Sequence, residues 1–184
     1  MSQATQTVDY ASISTNIGTV LVASFEDQIY TILLGDSEKE PLKDLRDYTA
    51  KHLPNAEVIK AKKDNALVHD TLKNLKAFLK SPDVALYKKL QALPLYIEGT
   101  DFQKKVWKDV KTIPVGSTRS YSEIAEHIGS PKAVRAVATA CAHNRHGIVI
   151  PCHRVLRNDG GISGYRWGVK RKLKIIELEA KAVK

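Results

Sequence analysis

The chain has 184 residues, 43% of them apolar, with a net charge of +9, which suffices for a packed core in one ordinary domain or two small ones. No run approaches the roughly 18 consecutive apolar residues of a membrane span, and "MSQATQTVDY" lacks the basic-then-apolar pattern of a secretory signal. Two cysteines make no disulfide framework, so a cytosolic or nuclear protein with reduced thiols is expected.

The first third reads as a β-meander. "DYASIST", "TVLVASF" and "IYTILLG" are rich in β-branched residues and are separated by the turn signals "NIG" and "EDQ". "PLKDLRDYTAKHL" follows as an amphipathic helix over 41–53, with Pro41 placed at its first position. "ALVHDTLKNLKAFLK" sets Leu67, Val68, Leu72, Leu75, Phe78 and Leu79 at helical spacing, and Pro82 stops it. This α/β unit carries no recognisable chemistry.

"QALPLYIEG" connects to a half of different character. Residues 1–96 hold 12 Lys+Arg and 12 Asp+Glu, whereas 97–184 hold 17 and 8, so the whole excess of +9 lies in the second part. A balanced half beside a basic half suggests two domains, 1–92 and 93–184, the second facing a polyanion. "TDFQ" offers a capping box between Thr100 and Gln103, and "SYSE" another between Ser120 and Glu123. Gly129 ends the second of these helices, and Ser130-Pro131 starts a third with proline at its first position. The pair spells helix, tight turn, helix.

The third helix is unusual for a reader of base edges. Ala133, Ala136, Ala138, Ala140 and Ala142 dominate it, and Lys132 and Arg135 are its only long cations before Asn144. So low a profile suits a minor-groove or backbone approach, with Arg135 as a lone projecting probe. Val134, Val137 and Cys141 share a face, which makes Cys141 a buried small hydrophobe.

"HGIVIPCHRV" then runs an apolar segment, read as a buried strand, into Pro151, Cys152, His153 and Arg154. Zinc fits poorly here. No C-x-x-C pair is present, and an extended segment would send Cys152 and His153 to opposite faces. A nucleophile fits better, because a thiol attacks only as thiolate and needs a base or positive charge beside it. His153 and Arg154 can supply either.

"IPCHRV", with "PKAVRAVATACAHN" before it and "SGYRWG" after it, resembles the O6-alkylguanine-DNA alkyltransferase family, and "SGYRWGVKRK" resembles its bacterial Ada-type members. The resemblance runs from about Phe102 to Glu179. It implies a fold of two parts: an α/β N-terminal domain with a small antiparallel sheet, ribonuclease H-like, and a mostly α C-terminal domain with a winged-helix-like helix-turn-helix. It implies direct-reversal repair, in which the alkyl group of a flipped O6-alkylguanine moves irreversibly to Cys152. His153 would be the base, acting through a water, and Glu179 would orient it. Asn144 would hold the thiol, and Tyr121 would donate to guanine N3. The DNA-facing set would be Arg135 as intercalating finger, with Lys132, Ala136, Thr139 and Ser120. The substrate pocket would comprise Tyr121, Pro151, Val155, Tyr165, Arg166 and Trp167, with the Trp167 indole narrowing it.

The partner implied is double-stranded DNA, approached through the minor groove with little sequence specificity. No metal, cofactor or membrane is expected, and the chain is expected to be a monomer, cytoplasmic, or nuclear in a eukaryote. Residues 1–96 contain no cysteine, so the zinc site of some relatives is not expected. Neither is the phosphotriester-repairing domain of larger Ada proteins or its transcriptional role. Two rivals from other classes are weaker. A silent DNA-binding module of the alkyltransferase-like kind would lack the cysteine that stands here at 152. A thiol protease would leave the basic helix-turn-helix unexplained.

Overall fold

A computed structural model describes residues 5–184. Residues 1–4, the start of the segment read as lacking a secretory signal, lie outside the described residues. Three strands, β1 (Gln6–Thr15), β2 (Gly18–Phe25) and β3 (Gln28–Gly35), form the expected meander. The β2–β3 turn places Glu26 and Asp27 at φ 47° and 61°, the left-handed pair that matches the twist of a two-residue hairpin. Helix α1 (Lys39–His52) starts two residues before Pro41, which sits in the first turn rather than at its first position. Helix α2 (Ala66–Lys80) has the expected bounds, with the Asn65 side chain accepting from Val68 N–H.

Two elements of this half were not anticipated. Strand β4 (Ala56–Lys60) joins the sheet beside β1 in parallel, giving the order β3-β2-β1-β4. The sheet is therefore mixed, not antiparallel. β4 is a five-residue edge strand carrying Glu57 and Lys60, too short and polar to show an alternation. Helix α3 (Val84–Gln91) follows α2 closely, capped by Asp83.

The second half is helical. Both capping boxes form, on α4 (Asp101–Val110) and α5 (Tyr121–His127). α5 ends in a Schellman motif: Ser130 N–H bonds Ala125 O at 2.8 Å and Gly129 N–H bonds Glu126 O at 3.0 Å. Gly129, at φ 75°, supplies the left-handed residue this requires. Helix α6 (Val134–Ala142) begins three residues after Pro131, correcting its expected start. Ala133 N–H bonds Ser130 O at 2.8 Å, so 130–133 close a turn instead of a first helical turn. A single 3-10 turn (Cys152–Arg154), the two-residue parallel pair β5 (Arg119–Ser120) and β6 (Val155–Leu156), and α7 (Val169–Ala182) complete the chain.

The apolar run before Pro151 is not a strand. Ile148 adopts φ 71°, and the segment turns between two cores. Ile148 and Val149 pack into the core built on the sheet, α1, α2 and α3, whereas Ile150 joins Cys152 and Val155 in the core of α4, α5 and α6. The run is apolar because it is buried on every side, which periodicity alone does not distinguish from a strand. This seam carries the cysteine.

Candidate active site

Cys152 opens the 3-10 turn and is 4% exposed. It lies on a cavity of about 320 Å³ shared with Cys141, Ala138, Tyr121, Ser163, Tyr165 and Arg166. Asn144 fixes its surroundings. Its side-chain N–H₂ donates to Ile150 O at 2.9 Å and to Cys152 Sγ at 3.4 Å, and its carbonyl accepts from His146 N–H at 2.8 Å. Every polar atom of the buried amide thus has a partner, and one donor faces sulfur. The adjacent Cys141 thiol and burial push the Cys152 thiol well above its ordinary pKa, while Asn144 and Lys172 pull it down. At rest the sulfur is a thiol, and attack requires its proton to be taken.

A buried charged cluster stands beside it. Arg154 is wholly buried. Its Nε and Nη2 form a bidentate pair with Glu179, each at 2.8 Å, and Nη1 donates to Ile113 O at 2.7 Å. Its guanidinium lies 4.3 Å from the Tyr87 ring centroid. Burial would raise the Glu179 carboxyl, but His153 and Arg154 prevail and hold it at about 2. Glu179 is therefore ionised and can only accept. His153 Nε2, 2.8 Å from Glu179 Oε1, must be the protonated nitrogen. Burial lowers the His153 pKa, with Glu179 opposing. The ring is neutral, and its Nδ1 is a buried acceptor with no hydrogen-bond partner in the protein. Cys152 and His153 share a 3-10 turn, which corrects the extended geometry expected for them.

A second polar chain lies across the cavity. Lys172 on α7 is wholly buried and donates to Val155 O at 2.6 Å, Ser163 Oγ at 2.8 Å and Gly164 O at 3.2 Å. Ser163 Oγ is in turn 2.5 Å from the Tyr121 hydroxyl. Burial brings Lys172 down to about 8, and it raises Tyr121 against the pull of Ser163. Lys172 and Ser163 were missed in the sequence. The signal for Lys172 was its spacing from Ile175 and Glu179, which puts all three on the buried face of α7, but the surrounding basic run "VKRKLK" hides it.

The expected pocket residues divide. Tyr121, Tyr165 and Arg166 line the cavity, whereas Pro151, Val155 and Trp167 lie outside its lining. Trp167 does not narrow the pocket. Its indole sits behind Tyr165, ring centroids 5.3 Å apart, in the sheet's core. It lies so close to Gly147 that a Cβ there would meet it at 3.1 Å. Lys132, Arg135, Ala136 and Thr139 are exposed on one side of the helix pair. Ser120 is different, since its hydroxyl accepts from Glu123 N–H as the cap of α5. Cys141 is buried as expected, yet it also lines the cavity. Among the described residues, no three His, Cys, Asp or Glu side chains converge where a metal ion could be held.

Residues 101–181 match the family model described as 6-O-methylguanine DNA methyltransferase, DNA binding domain. The chain is 43% identical over 173 residues to the bifunctional transcriptional activator/DNA repair enzyme Ada of Escherichia coli (strain K12), covering 94% of this chain and 46% of that protein. It thus spans about half the length of the curated relatives it matches. The crystal structure of Mycobacterium tuberculosis O6-methylguanine methyltransferase superposes with a TM-score of 0.71 at 32% identity, over 95% of this chain and 94% of that one. The structure of Mycobacterium tuberculosis OGT in complex with DNA gives 0.70 at 31% identity, with the same coverage.

Proposed function

The chain belongs to the 6-O-methylguanine DNA methyltransferase family, and from that premise we propose that it repairs O6-alkylguanine in double-stranded DNA by taking the alkyl group, once and irreversibly, onto Cys152. The observation that carries the reading is the thiol on a largely apolar cavity, held by Asn144 and followed by a neutral histidine whose free nitrogen is Nδ1.

In this reading His153 Nδ1 takes, through a water, the proton that leaves Sγ, and Glu179 stabilises the imidazolium that results. Arg154 holds Glu179 rigid and ionised. The thiolate attacks the alkyl carbon in line, the S–C bond forms as the C–O6 bond breaks, and the electron pair passes into the guanine ring. Tyr121 donates a hydrogen bond to N3 as negative charge develops there, and the departing guanine takes its proton from solvent. Lys172, through Ser163, backs that donation as a positioning residue. The product thioether has no good leaving group, so the cysteine is spent.

The buried target atom requires the base to leave the stack, at least cost where the lesion has already weakened pairing. The exposed, alanine-rich face of α6, with Arg135, Ala136 and Thr139, and Lys132 in the turn before it, supports a minor-groove approach with little sequence preference and Arg135 filling the vacated space. Binding of this kind falls steeply with salt. The finer architecture belongs to the same proposal: a ribonuclease H-like sheet, a winged-helix-like arrangement of α5, α6 and the β5–β6 pair, and a boundary at 92/93. So does a monomer acting in the cytoplasm, or in the nucleus of a eukaryote. No helix among the described residues is long and apolar enough to cross a membrane.

The test is incubation with a duplex carrying O6-methylguanine labelled in its methyl group. Label should move to the protein and leave ordinary guanine in the DNA. Protein that stays unlabelled while binding the duplex contradicts the proposal.

A further inference from the structure

Asp44 lies on α1, in the half without recognisable chemistry, and two arginines of the other half share its carboxylate. Arg145 Nη1 reaches one oxygen at 3.2 Å, and Arg166 Nη2 reaches the other at 3.0 Å. Arg145 follows Asn144, the residue that donates to Cys152 Sγ. Its guanidinium is stacked 3.7 Å from the ring centroid of Tyr48, one turn after Asp44 on α1. Arg166 follows Tyr165 and lines the thiol cavity itself. Its Nη1 donates to Ala142 O at 3.2 Å, at the end of α6. The Arg145 and Arg166 side chains are only 11% and 24% exposed, so neither is a loose surface charge.

A carboxylate that takes a different arginine on each oxygen fixes the distance between the segments carrying them. Here those segments are the Asn144 side of the cavity and its Tyr165–Arg166 side. The cavity, at about 320 Å³, is at the small end of ligand-binding pockets. Arg166 is part of its lining, so the place of this side chain bears on how bulky a group fits. Without Asp44, Arg166 keeps a neutral carbonyl and the Trp167 ring, 5.8 Å from its guanidinium, but no counter-charge, and can turn toward water.

The geometry points to Asp44 as a specificity-determining positioning residue: acting through Arg166, it holds the outer wall of the cavity closed and restricts transfer to small alkyl groups. This inference rests on the alkyl-transfer reading above. It gives the N-terminal half a part in selecting substrate.

The experiment compares single-turnover transfer rates from O6-methylguanine and O6-benzylguanine in one duplex sequence. The proteins are the wild type, Asp44→Asn, Asp44→Glu, Arg166→Ala and the Asp44→Asn/Arg166→Ala double variant. Pockets discriminate groups of differing bulk by roughly 10- to 200-fold. Asp44→Asn should raise the benzyl-to-methyl rate ratio about tenfold, with the methyl rate within about threefold of wild type. Asp44→Glu should bring the ratio back. In the Arg166→Ala background the ratio should already be raised, and Asp44→Asn should add nothing. An unchanged ratio in Asp44→Asn overturns the inference, as does an equal shift in the Arg166→Ala background. Should Asp44→Asn fail to fold, an unchanged ratio in Arg166→Ala alone overturns it. Wild-type protein that transfers neither group defeats the alkyl-transfer reading, which separates the two failures.

Discussion

The two halves of the molecule bury different chemistry. Around the sheet the buried polar residues of the N-terminal half are neutral hydroxyls, Ser24, Thr31, Thr49 and Thr71. In the C-terminal half they are Asn144, His146, His153, Arg154, Lys172 and Glu179. Taking a charge out of water costs several kcal/mol unless geometry and hydrogen bonds repay it. A chain that, among the described residues, buries an arginine, a lysine and a glutamate in one half and no charged residue in the other gives up stability where something besides folding is at stake. The first half is a scaffold that touches the site at several places, among them Tyr87 beneath Arg154, Asp44 and Tyr48 against Arg145, the sheet's core around Ile148 and Val149, and Ile32 of β3 bonded to the Arg145 and Gly147 backbone.

Substitutions should separate the two kinds of burial. Glu179→Gln leaves Arg154 without its counter-charge and His153 without its anionic acceptor. We expect a loss of about 3–5 kcal/mol in stability and, per folded molecule, a transfer rate down by about 10²-fold or more. Leu33→Ala, in a fully buried position of β3, should cost a similar 2–5 kcal/mol with no change in the rate per folded molecule. Urea unfolding and single-turnover transfer on the same preparations check both. A chemical loss in Leu33→Ala, or none in Glu179→Gln, would erase the contrast.

Acid should attack the charged half first. Burial lowers the pKa of His146 from 6.5 to about 4, so the unfolded chain takes up a proton that the folded chain refuses. The stability linked to this site is full above pH 6.5 and is lost as pH falls from 6.5 toward 4. Glu179, held at about 2, adds a second loss as pH falls from its ordinary 4.5 toward 2. Urea midpoints at pH 7, 5.5 and 4 should fall in wild type, and the first part of that slope should flatten in His146→Asn. A slope of the same size in the variant would refute the assignment.

Cys141→Ser should have the smallest effect. Cys141 packs beside Val137 in the helical core, so a hydroxyl there costs about 1–2 kcal/mol, read as a lower melting temperature. Transfer to Cys152 should continue to completion.

Much of this was legible in the sequence. The meander, α2, both capping boxes and the helix-turn-helix follow from turn residues and periodicity, which are local signals. Cys152, His153, Asn144 and Glu179 were legible through their motifs, and the geometry brings all four together. What escaped detection depends on tertiary context. β4 is a strand because β1 offers it an edge. The apolar run before Pro151 is a turn because two cores compete for it. Trp167 was misplaced because Tyr165 and Arg166 just before it do line the cavity, whereas its own indole turns into the core behind Tyr165. Lys172 was hidden because nothing local distinguishes a buried lysine from exposed ones in the same run.

The most direct test of the central claim is the mass of the intact protein after exposure to a tenfold excess of O6-methylguanine duplex, followed by peptide mapping. A gain of one methyl group per chain is expected, located on Cys152 in the peptide holding "IVIPCHR", and no gain in Cys152→Ser, whose hydroxyl is a far weaker nucleophile near neutral pH. More than one equivalent of repaired guanine per chain, or a methyl group on Cys141, would contradict it.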